Sequence, residues 1–196
     1  MKSFILSQLV IEVRNEWNYI YRSSGNVLAL SVASVVLLVL WPFVAHTKGG
    51  PSVEWAPIIG IIQAGNTVGS GTGKVTGGGQ PWFATSGNAE VNLATGDVQF
   101  QVRGLVLAGG NAIVTPDNVT QVKGTLVCDT TGTATGNSTL VDTALVPLNA
   151  QGNAKFNGNV GALPTACSTQ PNIAFLVRTA GGAWIASGEV RVAGEE

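Results

Sequence analysis

Histidine is all but missing from this chain: His46 is the single one, and none follows it. Everything after that point therefore has no imidazole to act as a general base or to complete a Cys/His zinc set. Charge is also scarce, at 11% of the 196 residues. From residue 51 onward nine acidic residues face six basic ones, a difference of three, with no basic stripe and no aromatics interleaved with cations. That composition excludes a nucleic-acid surface.

The few carboxylates are scattered. Glu90 and Asp97 flank one predicted hairpin, and Asp142, at the start of one predicted strand, and Glu189, on another, stand apart, so no two are paired for acid–base work. Asp-x-Asp spacing, which a calcium loop would use, is absent. Gly73-Lys74 ends like a phosphate loop, but Val68 stands where the first glycine belongs and Val75 where Ser or Thr belongs. No catalytic, cofactor-binding or metal-binding residue is nominated, and the chain reads as not an enzyme.

What is present begins with an uncharged apolar run, Val27 to Ala45. As a helix it spans about 28 Å, close to the thickness of a bilayer's hydrocarbon core. Trp41 and Pro42 near its end suit an interfacial exit. Lys2, Arg14 and Arg22 precede the run and only Lys48 closely follows it, so the N-terminus is expected in the cytoplasm. The C-terminal part is then periplasmic or extracellular. A cut after Ala45 would put bulky Phe43 at the minus-three position, which favours an uncleaved signal-anchor over a cleaved peptide. Before the run, Leu6, Val10, Val13, Trp17, Ile20 and Tyr21 recur at helical spacing, as in an amphipathic helix lying on the inner membrane face.

The expected organisation is a cytoplasmic amphipathic segment (1–25), a transmembrane helix or signal-anchor (26–46), a linker and Gly-rich loop with a candidate first strand (47–80), and an exported β-domain (81–196). Period-two alternation carries the last assignment. Ala89, Val91 and Leu93 share one face, a turn at 94–97 follows, and Val98, Phe100 and Val102 continue the apolar face. Further strands are predicted over Val119 to Cys128, Thr143 to Leu148, Ala154 to Val160, Ile173 to Thr179 and Trp184 to Val192. Pro147 marks its strand as an edge or a bulge. The fold class expected is all-β, an antiparallel sandwich of immunoglobulin-like or related type. Val53 to Gln63 is read as a first strand or a membrane-proximal extension, and Gly65 to Gly79 as a linker or loop.

Cys128 and Cys167 are the only cysteines, both in the exported part, and an even count in an oxidising compartment predicts one disulfide. Trp55, Trp82 and Trp184 form a binding platform if exposed on one face and core if buried apart. Asn118-Val119-Thr120 and Asn137-Ser138-Thr139 fit the glycosylation sequon.

The stretches AEVNLATGDVQFQVRGL and NIAFLVRTAGGAWIASGEVRV resemble the strand pattern of CHRD-type domains, which are exported β-sandwich modules. That resemblance implies a sandwich fold. Val177-Arg178-Thr179 stands where those domains have a His-Thr pair, so no role of their histidines carries over. The apolar helix followed by a β-rich head is also similar to pilin-like subunits, with Gly25 placed like a prepilin cleavage point and Leu30 where their glutamate stands. Three functions follow as expectations. The first is a membrane-anchored envelope protein whose β-domain binds a protein, glycan or wall component. The second is a filament or surface-layer subunit that self-assembles. The third is a carboxylate-based hydrolase.

Overall fold

The computed structural model describes residues 52–169 and 172–191. The apolar run and the amphipathic segment read for residues 1–46 lie outside the described residues. Among the described residues no helix is long and apolar enough to cross a membrane.

Alternation builds the main sheet. Strand β1 (Ser52–Gly60) is followed by two short strands, β2 (Thr67–Val68) and β3 (Val75–Thr76), and by β4 (Trp82–Phe83). Then come β5 (Ser86–Asn92), β6 (Asp97–Arg103), β7 (Val106–Leu107) and β8 (Gln121–Cys128). The chain closes with β9 (Thr139–Asp142), β10 (Val146–Pro147), β11 (Ala154–Asn159), β12 (Ile173–Thr179) and β13 (Trp184–Arg191). Nine of these form one antiparallel sheet in the order β10-β8-β12-β13-β1-β5-β6-β11, with β9 also on β8. The predicted β5–β6 hairpin is found, with Leu93 in the turn rather than on the strand: Ala89 faces Phe100 and Val91 faces Val98, and all four side chains are buried. Pro147 sits on an edge strand, where its missing N–H costs no ladder bond.

The expected sandwich is realised as one curled sheet rather than two stacked ones. Strands β6 and β12 stand four places apart in the sheet order, which is about 19 Å on a flat sheet. Yet the rings of Phe100 on β6 and Phe175 on β12 lie 5.7 Å apart. The sheet therefore rolls into a half-barrel around these rings and Trp55, which lies 5.8 Å from Phe175. Gly124 on β8 makes room for them, because a β-carbon there would come 2.6 Å from Phe175 Cζ and 3.0 Å from Phe100 Cδ1. Bulky side chains at two positions thus need no side chain at a third.

Of the two readings for Val53 to Gln63, the strand is the one found. β1 lies inside the sheet between β13 and β5. The Gly-rich stretch is fastened to the sheet. Trp184 Nε1 donates to Asn66 O (2.9 Å), Ser70 N to Ser138 Oγ (2.8 Å) and Thr72 N to Asn137 Oδ1 (2.9 Å). It thus runs from β13 to the loop before β9. Glycine at 73 lets this segment lie directly on the Ser138 carbonyl.

Cys128 and Cys167 are disulfide-bonded, with Cα atoms 4.7 Å apart. The bridge pins the β11–β12 connection, which contains a single helical turn at Ala166–Thr169, to the end of β8.

Candidate functional site

The three tryptophans do not form a platform. Trp55, Trp82 and Trp184 expose 0%, 6% and 6% of their surface and belong to the core. Trp55 on β1 packs inside the curl, Trp184 on β13 donates to the Gly-rich segment, and Trp82 on β4 is held against the end of β1. The Trp55 N–H, fully buried, meets no acceptor, so its ring is held by apolar packing alone.

The exposed apolar side chains lie elsewhere. Among the described residues, Ile59, Ile62, Phe83, Ile113 and Val114 are five of the six large hydrophobic residues with substantial exposure, and Leu145 is the sixth. Backbone hydrogen bonds bring the segments that carry the five side by side at one end of the β-domain. Trp82 N donates to Ile61 O (2.7 Å), which sets the end of β1 beside β4. Strand β4 pairs with β7. Leu107 N then donates to Thr115 O and Val114 N to Leu107 O, both at 2.9 Å, which adds the 112–115 turn as a fourth rung. In this ladder Trp82 and Leu107 are buried while Phe83 is 57% exposed, as period two requires.

The turn itself is strained. Val114 has φ +68°, a region in which a β-branched residue pays roughly 1–2 kcal/mol. The turn is held by Thr115, whose N–H and hydroxyl both donate to Ala112 O (3.2 and 2.8 Å), and by Asp117 N, which donates to Thr115 Oγ1 (3.1 Å). The result is a fixed tip that presents Ile113 at 53% and Val114 at 71% exposure. Beside this end lies an open groove of about 330 Å³, floored by Trp82, Leu107 and Ile185 and edged by Gln80, Asp117 and Asn118.

Asp97, Asp129, Asp142, Lys123 and Arg178 are engaged in the fold. Asp142 on β9 accepts from Lys123, from Thr125 Oγ1 (2.6 Å) and from Arg178 Nη1 (3.2 Å). Burial pushes its carboxyl up, and the hydrogen bonds from Lys123 and Thr125 with the charges of Lys123 and Arg178 outweigh that and hold it below the ordinary range. Lys123 and Arg178 are cross-strand neighbours, so this carboxylate separates two like charges. Asp129, buried, accepts from Ala134 N (2.9 Å), Thr133 N (2.8 Å) and Thr131 Oγ1 (3.4 Å). Those backbone donors, Ala134 first, keep its carboxyl ionised to lower pH than usual. Its carbonyl accepts from Ser138 Oγ (2.7 Å), so this loop supports the Gly-rich segment. Asp97 is lowered by the Thr95 hydroxyl and then by the Asn159 amide. Glu90, Asp97 and Asp142 are not brought together, and among the described residues no group of three or more His, Cys, Asp or Glu is placed to hold a metal ion. Asn118 is exposed beside the groove, and the Asn137 side-chain oxygen is occupied by Thr72.

Sequence reasoning singled out the tryptophans and missed the apolar end. The signal it could have used is negative: the segments 55–73, 75–89 and 104–116 contain no charged residue at all. Comparison of the chain with family models, with curated proteins and with solved structures gives no match. Fold and site together define, for the described residues, an antiparallel β half-barrel with one disulfide and one apolar end.

Proposed function

We propose that this is a membrane-anchored, exported β-domain protein with a non-catalytic binding or structural role in the cell envelope. The apolar end carries this reading. Five large apolar side chains on a hydrogen-bonded ladder, one of them held in a strained turn, are a surface built for contact. The disulfide suits an oxidising compartment. The apolar run 27–45 supplies the anchor, with the N-terminus cytoplasmic and the domain outside. In this reading the curled sheet keeps two β layers facing each other across one core, and so belongs beside the exported sandwich modules that the CHRD-type resemblance suggests.

The test is photo-crosslinking in cells that make the full chain, with a photoreactive residue at position 83 or, as a control, at position 155 on the far edge strand. A discrete adduct with an envelope component at 83 and none at 155 is expected. No adduct at either position, with the protein present in the membrane fraction, would remove the binding role.

A further inference from the structure

We propose that the partner of the apolar end is a second copy of this chain, docked through Ile62, Phe83, Ile113 and Val114. This rests on the contact role proposed above and names the occupant.

Charge is the first argument. The three segments that build the band carry no Asp, Glu, Lys or Arg. Unlike partners are usually selected and steered by opposite charges across their contact. A twofold contact instead brings a patch against itself, so any net charge within it repels its own copy. A band whose segments carry no charge is free of that repulsion.

Size is the second. Four rungs at about 4.8 Å spacing make a band roughly 15 Å across. Such a band offers each copy a few hundred square ångströms, below the roughly 800 Å² per partner of a standard interface. The contact is therefore weak. It forms where copies are concentrated, as they are when tethered to one membrane. The third argument is preorganisation. Hydrogen bonds within the 112–115 turn already fix Ile113 and Val114 in their exposed positions, so little order is lost on contact. A pair of copies joined this way is the smallest unit of the self-assembling subunit expected from the sequence.

The test uses the full chain in membranes, with the native disulfide oxidised. Val114→Cys and, as control, Lys155→Cys are treated with a short bis-maleimide. Dimer is expected from Val114→Cys at about tenfold the yield of Lys155→Cys. Adding Ile62→Asp should cut that yield about fivefold or more, with an unchanged circular dichroism spectrum. Ile62 is 83% exposed, so this change leaves the core alone, and Phe83→Ser serves as a second variant. Equal yields from the two cysteines, indifference to Ile62→Asp, or monomer throughout would overturn the second copy. So would quenching of a fluorophore at position 114 by spin-labelled lipid without dimer, which would assign the band to the bilayer. A position-83 adduct with a different molecule would also reject the second copy while leaving the contact role standing.

Discussion

At Val114 the chain accepts backbone strain to hold a branched apolar side chain in solvent. Asparagine tolerates the left-handed region far better. Val114→Asn should therefore raise the unfolding free energy by about 1 kcal/mol while weakening contact at the apolar end. Urea denaturation beside the dimer cross-linking yield checks both signs, and a stability loss would mean that Val114 is there for packing. Gly124 works in the opposite direction. Its missing side chain lets Phe100 and Phe175 meet across the curl, so Gly124→Val should destabilise by about 3 kcal/mol or more, read as a lower thermal midpoint. The disulfide closes a loop of sequence separation 39. Replacing both Cys128 and Cys167 by serine should cost about 4 kcal/mol if chain entropy dominates, and a loss under about 1 kcal/mol in denaturant titration would refute that account.

Elements whose two faces differ were readable in advance. β5, β6 and β11 match the predicted alternating segments to within three residues, because one face meets the core and the other meets water, and β12 and β13 match as well although 175–177 and 184–186 are buried on both faces. β9 escaped because its residues Thr139–Asp142 are all half-buried or exposed, leaving no alternation. The two-residue strands β4 and β7 are too short to show a period, and the apolar end is built from them. The Gly-rich segment was ambiguous for a physical reason: glycine suits both a loose linker and a backbone pressed against a neighbouring carbonyl, and only tertiary contact separates the two. β9 is also where a charge ties elements together. Asp142 bridges to Lys123 on β8 and Arg178 on β12, so Asp142→Asn leaves two neighbouring cations without their shared anion. The expected loss is about 1 kcal/mol, since the carboxylate is partly solvated and the pairs are screened. Faster amide exchange confined to β9 and its neighbours would show it, and unchanged exchange would make the bridges incidental.

Across the whole molecule, pH should matter only at the acid end. No histidine lies after His46, so no imidazole in the β-domain changes charge between about pH 5 and 8, and stability there should be nearly flat. Asp97, Asp129 and Asp142 all have carboxyls held below the ordinary range in the folded state. For a group whose folded pKa is depressed, the unfolded chain takes up protons first as the pH falls. The stability such a group contributes is therefore fully present above its unfolded value and is lost as the pH falls through its folded value. The urea midpoint should hold steady from neutrality to about pH 5 and then drop progressively below about pH 4. Asp129 has a distinct place in that loss, because its donors are the backbone amides of the loop that supports the Gly-rich segment. Asp129→Asn should weaken the domain at pH 7 and at the same time shallow the acid limb, because one of the three linked groups is gone. An acid limb of unchanged slope in that variant would mean that the carboxylate is not linked to folding and that its loop is held by other bonds.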